Sequence, residues 1–101
     1  MDIEREVLSL LAEDYYSPWE IAIQVPVRRQ DLGRVIARLI QAGLAEWFAR
    51  SEDSAPAIAW SDLSLPTPDL ADDQTWEAAA LRERQILVGI TDAGKKAYYG
   101  V

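Results

Sequence analysis

SPWEIAIQVPVRRQDLGRVIARLIQAGL, residues 17–44, decides how the rest of the chain is read. Ser17-Pro18-Trp19-Glu20 is a strong helix start. Serine can cap, proline suits the first helical position, and a glutamate at the third can return a hydrogen bond to the cap. The spacing predicts a short helix over residues 18–25 with Ile21, Ala22 and Val25 turned inward. Pro26 ends it, because proline disfavours helical geometry in the residue before it. A second helix is expected over residues 28–42. Leu32, Val35, Ile36 and Leu39 form its buried face, while Gln30, Arg34, Ala37, Arg38 and Gln41 lie away from that face. Gly43 stands where a left-handed residue commonly closes a helix.

Working outward, residues 2–14 (DIEREVLSLLAED) form an amphipathic helix with Ile3, Val7, Leu10 and Leu11 as its apolar stripe. Asp2 can cap it, and Glu4 and Glu6 suit its first turn, where the helix dipole favours acids. Residues 44–50 (LAEWFAR) alternate as a strand should. Residues 51–77 differ in kind, with seven acids, no bases, and prolines at 56, 66 and 68. Most of that stretch reads as a long solvated loop, with a short strand over 57–60. A short helix is expected over 75–84, capped by Thr75 with Glu77 in its first turn. Residues 86–90 (ILVGI) read as a strand, and 91–99 (TDAGKKAYY) as a short helix capped by Thr91. There is no internal repeat.

The composition narrows the classes. The chain has 101 residues, half of them apolar and 27% charged, with a net charge of −7. That suits one small domain with a modest core, burying roughly 65% of the surface its unfolded form exposes. No cysteine or histidine is present. This removes disulfides, thiol nucleophiles, thiolate metal sites, the usual general base and the commonest metal ligand. Nothing in the sequence pairs a nucleophile with a base, so a non-enzymatic role without cofactor or metal is expected. Asp69, Asp72 and Asp73 lack the spacing and glycine of a calcium loop. No apolar run approaches the ~20 residues needed to span a bilayer, and MDIERE carries no signal-peptide pattern. A cytoplasmic protein with no membrane partner is expected.

A helix, a tight turn and a second helix bearing arginines on its open side make up the layout of a helix-turn-helix, which sets one helix into a DNA major groove. The chain resembles a winged helix-turn-helix domain of the MarR or PadR type. EIAIQVPV at 20–27 is similar to the family's helix 2 and turn, usually written ELAERLGV. DLGRVIARLIQAGLAE at 31–46 is similar to the recognition helix, its glycine-leucine exit and the first wing strand. ITDAGKKAYY at 90–99 is similar to the second wing strand and the helix that opens LTEKGR. With helix 1, the likeness covers roughly two-thirds of the chain. It implies a mainly α fold with a small antiparallel β wing, built as a three-helix core plus a C-terminal helix. Residues 1–101 would form a single winged-helix domain, with the acidic, proline-containing insertion at about 51–77 lying within the wing. Two features depart from the family pattern. Its wing loop is usually short and basic, and the long terminal helices that build a MarR-type dimer are missing.

The resemblance places the groove-reading side chains on Arg28, Arg29, Gln30, Arg34 and Arg38. Arginine can fork onto guanine O6 and N7, glutamine can pair with adenine, and arginine also holds phosphate. Gly33, which costs about 0.8–1 kcal/mol in a helix relative to alanine, marks either a close approach to DNA or helix 2, or tight packing. The plain alternative for the arginines is a solvated helix face. Charge by region makes that alternative less comfortable: residues 1–27 carry −5, 28–50 carry +3, 51–77 carry −7 and 78–101 carry +2. Lys95 and Lys96 add to the basic face only if the last helix lies nearby. Against this, phosphate contacts supply most sequence-independent affinity, and a net −7 repels DNA at long range. Screening over ~8 Å limits that repulsion.

Two functions therefore stand side by side. In the first, the chain is a small DNA-binding protein, a transcriptional regulator that takes double-stranded DNA as its partner. A homodimer would supply two half-site helices, although no dimer helix is evident. In the second, the winged helix is a protein-protein interaction module with an acidic surface and no DNA binding. The insertion, with Trp47, Phe48, Trp60 and Trp76, would then face the protein partner, although tryptophan is equally a core filler. A sharper reading of the insertion has its acids fold back over Arg28, Arg29, Arg34 and Arg38 and mimic DNA.

Overall fold

The Asp2 side chain accepts the Arg5 N–H, and α1 (Ile3–Glu13) runs from that cap. Its buried residues are Val7, Leu8 and Leu11. Ile3 and Leu10 pack against the core only in part, and Leu8, on the other flank of the helix, is buried instead. A capping box opens α2 (Pro18–Gln24): the Ser17 hydroxyl accepts the Glu20 N–H at 3.2 Å, and the Glu20 carboxylate accepts the Ser17 N–H at 3.0 Å. Val25 is extended ahead of Pro26, as the proline requires. The third helix, α3 (Arg29–Gln41), buries Leu32, Val35, Ile36 and Leu39. Each such side chain contributes roughly 1.5–3 kcal/mol when fully buried.

Gly43 has φ +75°. Its N–H bonds the Ile40 carbonyl at 3.0 Å, and the Leu44 N–H bonds the Leu39 carbonyl at 2.9 Å. This is a Schellman closure, and it turns the chain directly into β1 (Ala45–Arg50). The strand alternates, with Ala45, Trp47 and Ala49 on the core side. It sits between β2 (Ile58–Ala59) and β3 (Gln85–Ile90), antiparallel to both. Its register with β3 runs from Ala45 opposite Ile90 to Arg50 opposite Gln85. Tyr16 extends the other side of β3 by one bridge to Val88. At the open end of the β1–β3 ladder, the Arg50 Nε donates to the Gln85 side-chain oxygen at 2.9 Å. The Gln85 amide in turn donates to Asp53 at 2.8 Å.

The last helix, α4 (Asp92–Tyr99), is capped by Thr91 and packs on α1 and β3. Thr91 also closes the fold onto α3. Its hydroxyl donates to the Gly43 carbonyl at 2.6 Å and accepts the Gly94 N–H at 3.0 Å, and its own N–H bonds the Leu44 carbonyl at 3.1 Å. Residues 2–78 and 84–100 are described by the structure, a computed structural model. Among them the architecture is mixed α/β, with four α-helices and a three-stranded antiparallel sheet over one core.

The acidic stretch departs from expectation in two ways. No helix starts at Thr75: a 3₁₀ turn spans Asp73–Trp76, capped by Asp72, with Thr75 inside it and Glu77 already extended. The competing force is burial, since Thr75 and Trp76 both turn into the protein. The rest of the helix expected over 75–84 falls largely on residues 79–83, outside the described residues. The stretch is also not a simple solvated loop. A second 3₁₀ turn at Trp60–Asp62 follows β2, and the 73–76 turn packs against α2.

A side chain at position 94 would drive its Cβ into the Leu44 carbonyl oxygen and the Ile90 side chain. Gly94→Ala should therefore lower stability by at least about 2 kcal/mol, the scale of forced overpacking, read from urea unfolding. A loss below half of that would show that the α4 start is loosely seated.

Candidate nucleic-acid interface

α3 is held by its apolar face, which leaves the opposite side open to solvent. Gln30, Arg34, Arg38 and Gln41 are exposed there, with Arg28 at the helix start. The side chains of Arg28, Arg34 and Arg38 keep 80%, 77% and 63% of their surface in water. All five residues expected from the sequence therefore lie along one helix, and the four arginines are met by carboxylates of the same chain.

Those carboxylates come from three places. Asp31 lies within 3.0 Å of Arg28 and 3.8 Å of Arg34, one helical turn from each. Glu4 of α1 reaches Arg38 at 3.1 Å. Asp73 of the insertion reaches Arg29 at 2.7 Å. The fold-back expected over four arginines is thus seen at Arg29, while Arg28, Arg34 and Arg38 take acids from α3 itself and from α1. Lys95 stands beside residues 11–15 at the end of α1, on a helix that packs against α1 and β3.

The insertion meets α3 through an anchored segment. Trp76 is 7% exposed and belongs to the core cluster, and its Nε1 donates to the Leu70 carbonyl at 2.8 Å. Buried Thr75 donates its hydroxyl to the Asp69 carbonyl at 2.6 Å. The Arg29 guanidinium stacks over the Trp76 ring at 5.2 Å from its centroid, so Arg29 is held by a cation–π contact as well as by Asp73. Between this segment and the helix runs an open groove of about 690 Å³, lined by Arg29, Gln30, Gly33, Arg34, Ala37, Leu70 and Ala71. Gly33, Ala37 and Ala71 are its small residues, and Leu70 supplies its large apolar side chain.

Gly33 lies beside Trp76, and nothing there requires a glycine. A Cβ there would stand 3.5 Å from the Trp76 ring, in ordinary contact. The glycine faces the insertion, an arrangement that neither sequence reading of it foresaw. The aromatic residues proposed for a partner divide: Trp47 and Trp76 are buried, Trp60 and Phe48 are partly buried, and Phe48 packs edge-on against Tyr15 at 4.8 Å. The large exposed apolar residues include Trp19 and Ile23, one turn apart on α2.

Trp76, Leu70 and Glu4 are the parts of this surface that the sequence did not assign to it, while Asp73 is one of the insertion acids expected over the arginines. Two signals pointed toward them: a glycine in the middle of a helix, and a tryptophan among the acids of residues 69–77. No ligand-like carboxylate cluster is left over in the insertion. Asp69 accepts the Ala71 N–H, Asp72 accepts the Gln74 N–H, and no group able to hold a metal ion occurs among the described residues. None of the described helices is long and apolar enough to cross a membrane. No protein-family model, curated protein or solved structure matches the chain.

Trp76→Ala should destabilise the protein by about 3–5 kcal/mol, the usual cost of emptying a buried aromatic site. Gly33→Ala should stabilise it by up to about 1 kcal/mol, because the helix gains propensity and the new methyl meets only an ordinary contact. Urea midpoints of the two variants check both signs.

Proposed function

We propose that the chain is a winged-helix DNA-binding protein, a small transcriptional regulator that reads a major groove through α3. In this reading the β1–β3 pair is the wing, and the acidic insertion lies within it. The observation that carries the reading is the outward face of α3, where Gln30, Arg34 and Arg38 follow one another at single-turn spacing with Arg28 at the helix start. These are the side-chain types that fork onto guanine, pair with adenine and hold phosphates. Their internal partners do not disqualify them. An exposed ion pair is worth about 0–1 kcal/mol, so a phosphate can displace a carboxylate at small cost.

A second reading is favoured by one specific observation. Four arginines of α3 face Asp31, Glu4 and Asp73, so the helix presents little net charge within a chain of net −7. A protein-interaction module with no DNA affinity would have such a surface. The DNA reading stands ahead because the arginines stay exposed while paired. Protein or homodimer partners belong to the second reading or add to the first.

Titration into duplex DNA at about 50 and 200 mM salt separates the readings. A DNA binder should show a steep salt slope, and Arg34→Ala/Arg38→Ala should make it shallower by about 2, one phosphate contact for each arginine lost. Absence of binding at the lower salt would replace the DNA reading with the interaction module.

A further inference from the structure

Asp73 approaches Arg29 from 44 positions further along the chain, and its neighbours keep it there. Trp76 is a core residue. Thr75 is tied to Asp69, and the Asp69 and Asp72 carboxylates each accept an N–H two residues on. The backbone at position 73 is therefore fixed beside the first turn of α3. Its side chain is open to solvent, with 91% of its surface exposed against 44% for Arg29. Rotation of one side chain releases Arg29 while the segment stays docked.

We infer that Asp73 is an internal competitor for the phosphate that Arg29 would otherwise take, and that it limits the affinity of α3 for nucleic acid. This inference rests on the DNA-binding reading of α3. The carboxylate places its oxygen 2.7 Å from a terminal guanidinium nitrogen, the charge-assisted contact that a phosphate oxygen also makes. Being tethered, it is always present, so an incoming phosphate must displace it rather than water. Trp76 holds the guanidinium plane against its ring, which keeps Arg29 within reach of Asp73. The device is a fixed limiter rather than a lid, since lifting the segment would expose a core tryptophan.

The test is fluorescence anisotropy with a fluorescein-labelled duplex of mixed sequence at about 50 mM salt. Five full-length proteins are compared: wild type, Asp73→Asn, Asp62→Asn, Arg29→Ala and Arg29→Ala/Asp73→Asn. Asp62 is an exposed acid of the same insertion outside the 69–76 segment, and its variant controls for net charge. Asp73→Asn should tighten binding by roughly two- to fivefold, the range an exposed ion pair allows. Asp62→Asn should do clearly less, and the Asp73→Asn gain should vanish in the Arg29→Ala background, as a coupled pair requires. An equal gain from Asp62→Asn, or one that persists without Arg29, would mean that bulk charge alone acts and would overturn the inference. Wild-type binding that Asp73→Asn leaves unchanged overturns it too, with the DNA reading intact. Failure of wild type and Asp73→Asn alike to bind overturns both.

Discussion

The fold depends on a small polar knot where α3 ends and α4 begins. The Gly43 and Leu44 carbonyls, freed by the left-handed turn of Gly43, are both taken by Thr91, through its hydroxyl and its N–H. The same hydroxyl caps α4 by accepting from Gly94. One threonine thus pins the exit of the third helix to the entry of the fourth. The β1–β3 register follows, because Ala45 and Ile90 are the residues next to the knot on either strand. Gly94 is required because α4 starts against the Leu44 carbonyl. What α3 can present to a ligand is therefore set at its far end: the knot fixes the helix axis, and the buried face fixes its rotation.

Where structure follows from neighbours in sequence, the chain is readable. The Ser17 capping box, the stop at Pro26, the Gly43 closure and the Thr91 cap lie within a residue or two of where their side-chain chemistry places them. Each depends on groups only a few positions apart. The failures share the opposite property. Leu8 and Leu10 lie on opposite flanks of the Val7 and Leu11 stripe, and only packing against α3, β3 and α4 decides which flank goes inside. The helix expected at Thr75 gives way to a 3₁₀ turn because Trp76 finds the core, a fact about residues more than thirty positions away. Glu4 meeting Arg38 is likewise a long-range pairing that composition by region conceals, and the fold-back of the acidic stretch, expected over four arginines, is made at Arg29. The placement of Arg28, Arg29, Gln30, Arg34 and Arg38 along one helix was legible, and their acidic partners were legible only at Arg29.

Those partners alter what the helix is electrically. Regional charge suggested a basic element in an acidic molecule. At the scale of side chains, the positive charge of α3 is met almost residue by residue. Such pairs add little stability, yet they change the exchange that any ligand must perform. An anion approaching α3 trades places with a carboxylate, and the salt dependence of that trade differs from simple addition to a bare cation. The groove between α3 and Leu70 adds a shape constraint beside the charges, since Gly33 and Ala37 give it a floor without bulky side chains.

The clamp of Arg50, Gln85 and Asp53 at the open end of the β1–β3 ladder carries a consequence for how such a chain can change. With the strand ends joined by side chains rather than by a tight turn, the ladder does not need a short connection to stay in register. The entropy of closing a loop grows only logarithmically, by about 0.6 kcal/mol for each doubling of its length. The connection from β1 to β3 can then lengthen, shorten or be replaced at little thermodynamic cost, provided that something fills the place of Trp76. The hairpin acts as a socket: its two strands hold the shape, and the sequence carried between them is free to diverge into a new surface beside α3.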